Sequence, residues 1–277
     1  MKDAPLSGSV AAARTGRGQR PPVPRAARFV LALYIAVAAV LVLGHPGISF
    51  ARDMRFLEEM AGYLRELNAL SYDMLSVEER IGVAEKAIRR LKAQPVRDVA
   101  EKYDWSACYI MILNNIGPSY VAKGEHAKGR DFLSQAVAIG EEALADAPGD
   151  QNLLALYFVS QRALAISYRM ELDHRSCASH NEDALSAVRE LLRQDPGNQA
   201  RRADMREALL ELGQSSLILK EWKSARERCL EAVDLARQAL AQDPNDADAR
   251  WDLAEGLARL EELEKVAPGA SAAEKRP

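Results

Sequence analysis

The segment "DHRSCASH", residues 173–180, carries side-chain types that commonly bind a metal ion or haem. His174, Cys177 and His180 follow one another at three-residue spacing, and imidazole and thiolate are usual ligands of Zn²⁺. On a helix, His174 and Cys177 would be neighbours, whereas His180 would be turned about 120° away from His174. A shared ion would need Asp173 or a residue from a neighbouring helix. We therefore interpret the segment as structural and keep a metal site as the alternative.

The rest of the chain offers few groups for catalysis. Of its four histidines, His45 lies in an apolar N-terminal segment. No Ser, His and Asp arrangement stands out, and no glycine-rich loop follows a strand pattern that could place it around a phosphate. Carboxylates are frequent, but they fall on the predicted outer faces of helices. We predict that the protein is not an enzyme and that it binds no cofactor and no metal.

Three widely spaced cysteines are present, Cys108, Cys177 and Cys229. An odd number at such distances does not form the disulfide framework typical of small secreted domains. We interpret Cys229 as a thiol packed in an apolar core. A disulfide between Cys177 and Cys229 is the alternative.

Charge is distributed unevenly along the chain. The formal net charge is −3, but residues 1–28 hold one Lys and five Arg against a single Asp, so the remainder carries −8. A domain this acidic repels polyanions. We expect no nucleic-acid partner.

An apolar run, "FVLALYIAVAAVLVLG" at residues 29–44, follows the basic leader. As a helix it would be roughly 22 Å long, shorter than the ~30 Å hydrocarbon core, which favours a signal peptide with a small-x-small cleavage site at residues 49–51. The uncharged stretch 29–51 would alternatively stay as a membrane anchor. Both outcomes place residues 52–277 outside the cytoplasm, because an arginine-rich flank remains cytoplasmic. We expect a periplasmic or secreted protein, or one anchored in the inner membrane.

Similar short peptides recur along the acidic part, for example "RQDPGNQ" and "AQDPNDA". Proline disfavours helix at the residue before it, and Asp or Asn at an N-cap accepts hydrogen bonds from the first free amides of the next helix. Between these peptides, apolar residues recur at three- and four-residue spacing without strand alternation. Two helices per 48-residue period are predicted. The prolines are Pro148, Pro196 and Pro244, and the N-caps are Asp150, Asn198 and Asp246.

Small residues occupy matching places in each period. Aligned positions would let paired helices cross closely, while larger residues fill the space beside them. These small positions are Gly117, Ala165 and Gly213, then Gly129, Cys177 and Ala225, then Ala136, Ala184 and Ala232.

This pattern resembles the tetratricopeptide repeat, in a long-helix variant. The stretches that carry the resemblance are "WSACYIMILNNIG" (105–117), "AKGEH" (122–126) and "RWDLAEGLARL" (250–260). The resemblance implies an all-α fold, a right-handed solenoid of antiparallel helix pairs. It covers about residues 100–262.

The domain organisation follows from these features. Residues 1–28 are a basic disordered leader, and 52–97 form a diverged first repeat whose second helix begins with a capping box, Ser76 with Glu79. Residues 98–265 hold the repeats and end in a single capping helix, and 266–277 are a disordered tail. The predicted polar outer side of that last helix consists of Glu255, Arg259, Glu261, Glu262 and Glu264.

The resemblance also implies where a partner would bind, because the first helices of such pairs line a concave groove that holds extended peptides or helices. The alternative for each groove residue is ordinary packing between repeats. The predicted partner-binding residues are Asn114, Arg162, Ile166, Arg169, Glu207, Leu210 and Gln214, with Met111, Pro118, Val121, Ala122, Val159, Met170, Leu217 and Ile218 beside them.

Together these features predict a protein-interaction scaffold of the cell envelope, whose partner is another protein. The membrane would be a further partner if segment 29–51 is not cleaved. The alternative function is a self-assembling structural component, and a metal or haem carrier is a third reading.

Overall fold

The computed structural model describes residues 54–69, 76–96 and 99–267, and the regular structure within these ranges is entirely α-helical. The basic leader 1–28, the apolar segment 29–51 and the predicted tail beyond Ala267 lie outside the described residues. The helices are α1 (Met54–Ala69), α2 (Val77–Lys92), α3 (Val99–Ala122), α4 (His126–Asp146), α5 (Gln151–Met170), α6 (His174–Gln194), α7 (Gln199–Ile218), α8 (Trp222–Gln242) and α9 (Ala247–Val266).

The helices pack as consecutive antiparallel pairs, with α9 following the last pair. From α3 onward, loops of three or four residues join each helix to the next, and loops this short make neighbours antiparallel. Each helix packs on its successor, and the first helix of a pair also packs on the first helix of the next: α1 on α3, α3 on α5 and α7 on α9. The predicted tetratricopeptide-like solenoid is confirmed.

The predicted proline-containing peptides do separate helices. The Asp150 carboxylate accepts hydrogen bonds from the amides of residues 152 and 153 at 3.0 and 2.9 Å. Asp246 caps α9 in the same way, and Asn198 caps α7 by accepting from the amide of residue 201 at 3.1 Å. Corresponding helices therefore begin 48 residues apart, at Gln151, Gln199 and Ala247.

The small residues lie where paired helices cross. A Cβ atom on Gly117 of α3 would come within 2.6 Å of Leu133 Cγ in α4. A Cβ atom on Gly213 of α7 would come within 2.6 Å of Cys229 Sγ in α8. Cys229 thus occupies the position that Leu133 holds two repeats earlier, and the prediction of a packed core thiol is confirmed.

The pair α1 and α2 begins the stack. The predicted capping box is present, because Ser76 Oγ accepts from the Glu79 amide at 3.2 Å and the Glu79 carboxylate accepts from the Ser76 amide at 2.8 Å. Leu64 of α1 and Leu91 of α2 are fully buried in the apolar core that these helices share with α3 and α4. A second core joins α5 to α8.

The outer side of α9 differs from the prediction. Glu255 and Arg259 do not lie on it: Arg259 donates from Nε to Gln214 Oε1 at 3.1 Å, so both face α7. The outer side instead exposes Trp251 and Leu257, at 63% and 43%, beside the predicted exposed carboxylates of the last turn. Helical periodicity explains the error, because residues 255 and 259 lie about 100° and about 140° around the helix from residue 254, at the centre of the outer side.

Candidate partner-binding surface

The residues considered for the alternative metal site do not converge. Cys177 Sγ accepts weak hydrogen bonds from Asn181 and Ser215, both at 3.5 Å. The His180 ring instead stacks on Tyr168 at 5.3 Å and its Nδ1 lies 2.7 Å from Gln161 Oε1. Within the described residues, no group of three His, Cys, Asp or Glu side chains could hold a metal ion.

All three cysteines are free thiols in the helical core. Burial raises the pKa of Cys108 to about 12 and that of Cys229 to about 11. Burial also raises the pKa of Cys177. Because the thiolate is the reactive form, these raised pKa values lower the reactivity of the three thiols.

The two predicted groove arginines are bound to the next repeat. Arg162 is 8% exposed, and its Nη2 lies 2.6 Å from Glu207 Oε1. Arg169 Nη1 donates to both carboxylate oxygens of Glu211, at 2.7 and 2.9 Å. These pairs join α5 to α7, whose backbones lie farther apart than those of α3 and α5. Arg162 Nη1 is buried, and no described residue accepts a hydrogen bond from it.

The predicted groove amides also bridge repeats. Asn114 Nδ2 donates to the Leu156 carbonyl at 3.3 Å, and its Oδ1 accepts from Ser160 Oγ at 2.9 Å. Gln214 receives the hydrogen bond from Arg259 described above. These contacts are the inter-repeat packing that the sequence left open as an alternative.

The apolar groove candidates divide by exposure. Leu210 is 5% exposed and packs toward Gly256 of α9, while Ile166 is half-buried. Of the neighbouring positions, Met111, Val121 and Leu217 are buried, Pro118 and Val159 are half-buried, and Ala122, Met170 and Ile218 are exposed.

Buried charges on α7 form a feature that the sequence did not reveal. Arg206 is 2% exposed, with Nε 2.9 Å from Asp252 Oδ2 and Nη2 3.7 Å from Asp246 Oδ2. Asp204 is 3% exposed and accepts from Arg201 Nη1 at 3.2 Å. Burial raises the pKa of Asp204 to about 7 despite that arginine. The only sequence signal for these buried charges was that charged residues occupy positions where the helical pattern places apolar ones.

An exposed aliphatic residue ends each first helix from α3 to α9. Met170, Ile218 and Val266 are 54%, 42% and 51% exposed, and Ala122 is exposed as well. These four residues are 48 positions apart, so they recur once per repeat. We call this set the apolar row. Extending the aligned groove positions to α9 would have identified Val266 from the sequence.

Leu172 lies beside the apolar row in the turn between α5 and α6. It is 76% exposed and has a φ of 63°, in the left-handed region that favours glycine. The equivalent residues are Gly124, at φ 86°, and Lys220, at φ 62°. The turn therefore imposes this conformation, and a large apolar side chain is exposed despite its cost.

The described helices and their surfaces define a tetratricopeptide-like α-solenoid, a class of fold that binds other proteins. None of the described helices is long and apolar enough to span a membrane.

No family model and no curated protein matches the chain. Among solved structures it is similar to a chain described as "MamA MSR-1 C2", at 17% identity and a TM-score of 0.35, over 80% of this chain and 97% of the other. At this distance the likeness does not indicate a partner.

Proposed function

We propose that the protein is an interaction scaffold that binds a partner protein along the apolar row. The recurrence of an exposed aliphatic side chain at the same place in successive repeats carries this proposal. Met, Ile or Val at a helix end that faces only water adds no stability to the fold. An apolar patch on a solvent-exposed surface is instead typical of interaction sites.

The geometry of the row suggests what the partner presents. Directly packed helices lie roughly 10 Å apart, which sets the spacing of the row between α3 and α5 and between α7 and α9, whereas α5 and α7 lie farther apart. A peptide in the polyproline II conformation advances about 3.1 Å per residue with three residues per turn, so it would place every third side chain on the row. A helix would do so with every seventh residue. We therefore expect a partner segment with apolar anchors at one of these two spacings.

The adjoining groove would support this surface from beneath. Arg162 Nη1 is buried, so in this structure it does not face a partner. The ion pairs of Arg162 with Glu207 and of Arg169 with Glu211 would hold the two flanking helices in place. In this proposal most predicted groove residues support the surface, and the ends of the first helices make the main contact.

We further propose that binding takes place outside the cytoplasm, in the cell envelope. The basic leader followed by the apolar run 29–44 supports this location. Deeply buried thiols with raised pKa values are compatible with an oxidising compartment, because they have little thiolate to react. The proposed role involves no chemistry by the chain itself.

Affinity purification of the tagged full-length protein from its own cells tests the function. A double variant, Met170→Asp with Ile218→Asp, places charges on the row at positions that are already solvated, so the fold is expected to persist. Leu230→Asp is the matched control, because Leu230 is 36% exposed on α8, away from the first helices. We expect one co-purified protein to be lost from the double variant and kept by the control. Equal recovery from both would overturn the proposal.

A further inference from the structure

The outer side of α9 carries a stripe of exposed side chains that no described residue covers. Trp251 and Leu257 are 63% and 43% exposed, and Ala254 and Ala258 are exposed as well. Residues 251, 254, 257 and 258 lie within one side of a helix. A solenoid normally ends on a polar face, so an exposed tryptophan here indicates a contact surface.

Earlier repeats show how this side of a first helix is used. Ala254 and Ala258 lie 48 positions after Arg206 and Leu210 of α7. Those two α7 residues contact α9, through the Arg206–Asp252 ion pair and through packing of Leu210 toward Gly256. The outer side of α9 is therefore the same stacking surface one repeat later.

We propose that this surface binds α9 of a second copy of the chain, so that the two solenoids join end to end through antiparallel helices. Charge complementarity selects this partner and this orientation. Arg250 lies in the first turn, whereas Glu261, Glu262 and Glu264 lie in the last turns. Antiparallel packing about the centre of α9 places Arg250 of each copy opposite Glu261 of the other. Parallel packing would bring like charges together.

The carboxylate of Glu261 is accessible for this contact. Within its own chain it pairs with Lys265 at 2.7 Å, and both side chains are exposed, at 67% and 70%. An exposed pair one helical turn apart is weak, so it does not prevent the carboxylate from binding a second cation. Arg250 of the other copy would approach from the side that faces away from α7.

The same arrangement accounts for the exposed tryptophan. The antiparallel helices cross midway between Ala254 and Leu257, so these two residues of one copy face Leu257 and Ala254 of the other. Trp251 and Ala258 lie together along one flank of this contact, about 60° and about 40° around the helix from Ala254. The Trp251 ring of one copy therefore lies on the same flank as Ala258 of the other, offset from it by about 3 Å along the helix, where a small side chain leaves room for a large ring. Each contact occurs twice because the pair is symmetric.

A single pair of helices buries less surface than most stable dimers, which bury about 1,200 Å² or more. We therefore expect a weak dimer, with a dissociation constant on the order of micromolar. This association is independent of the proposed partner site, since it uses none of the residues of the apolar row.

Sedimentation velocity of the full-length protein in mild detergent tests the proposal over a concentration series. We expect a monomer–dimer equilibrium that Trp251→Ala weakens at least about tenfold, while the control Leu230→Ala leaves it unchanged. Arg250→Glu alone and Glu261→Arg alone should each weaken it similarly, because each reversal opposes like charges. The double variant Arg250→Glu with Glu261→Arg should restore it, because both contacts regain opposite charges.

Circular dichroism melting of each variant shows whether the fold is intact. This check matters most for Arg250→Glu, since Arg250 also hydrogen-bonds the Pro244 carbonyl at 3.1 Å. A monomer at every concentration would overturn the proposal. A dimer that persists in Trp251→Ala and in both single reversals would overturn it too, and would assign association to another part of the chain.

Discussion

Leu172 adopts a backbone conformation that favours glycine, at a turn where the preceding repeat has Gly124. We predict that Leu172→Gly raises the free energy of unfolding by about 0.5–1 kcal/mol, because the Cβ penalty of the left-handed region disappears. Urea denaturation measures the difference. Leu172→Ala is the control: it removes the exposed side chain but keeps the Cβ atom, so it should not stabilise the protein.

A partner-binding measurement distinguishes the effect of Leu172 on backbone strain from its contribution to the proposed binding surface. If Leu172 contributes to the proposed surface, Leu172→Gly will reduce co-purification of the partner while it stabilises the fold. A variant that is less stable than wild type would show that the turn does not carry this strain.

Asp204 makes stability depend on pH. Burial raises its pKa from 3.8 to about 7, so the folded state binds a proton more tightly than the unfolded chain. Stability contributed by the protonated acid is present at low pH and is lost as pH rises from about 4 to about 7. Arg201 and Arg162 oppose the shift, and Glu207 adds to it.

We predict that Asp204→Asn becomes more stable relative to wild type as pH rises from 4 to 8, by on the order of 3 kcal/mol. Urea unfolding at a series of pH values measures the difference between the two proteins. The comparison cancels the titration of groups that both share. A constant difference across that range would mean that Asp204 titrates normally.

Sequence could predict some of these residues and not others. Asp150, Asn198 and Asp246 were predictable as caps because capping depends on a few residues in sequence. The pairs Arg162–Glu207 and Arg206–Asp252 were not, since their partners are 45 and 46 positions apart and belong to different helices. The sequence does not show whether a charged side chain on a helix faces solvent or forms an ion pair with the next repeat.

At the scale of helices, close crossing at small residues determines the pairing. A Cβ atom on Gly129 would lie 2.7 Å from the Gly117 carbonyl oxygen and 2.6 Å from Val121 Cγ2. We predict that Gly129→Ala lowers the free energy of unfolding by about 1–3 kcal/mol, because α3 and α4 must move apart. Thermal or urea unfolding checks the value.

Gly82 of α2 provides the matched control, because nothing lies within 4 Å of a Cβ atom added there. Gly82→Ala should stabilise the protein by about 1 kcal/mol through helix propensity alone. Destabilisation by both substitutions, or by neither, would contradict the account of the helix crossing.

The helices themselves were largely predictable, since their ends carry local signals and their interiors have a clear period. The orientation of α9 was less predictable from the sequence. When one helix has both a charged stripe and an apolar stripe, the sequence does not show which of them faces the preceding repeat. That choice depends on Leu210 and Gln214 of α7, which receive Arg259.

At the scale of the whole molecule, most residues of the repeating pattern pack between helices. The apolar row consists of repeating residues that this packing leaves exposed. Ion pairs between first helices engage Arg162, Arg169 and Arg206 with carboxylates of the next repeat. The row therefore offers apolar contact along several repeats at once, and a partner that spans them would gain affinity from each. The sequence could locate the matching positions of successive repeats because repetition is visible in sequence, whereas exposure is not.

The most direct test of this account is photo-crosslinking in cells from a probe at position 170, on the apolar row, with a control probe at position 227. Met170 is 54% exposed, and Glu227 has a similarly exposed side chain at 56%, on α8. We predict one abundant adduct with another protein from position 170 and little from position 227. Equal yields from the two probes, or adducts of the chain only with itself, would contradict the claim that the row binds a partner.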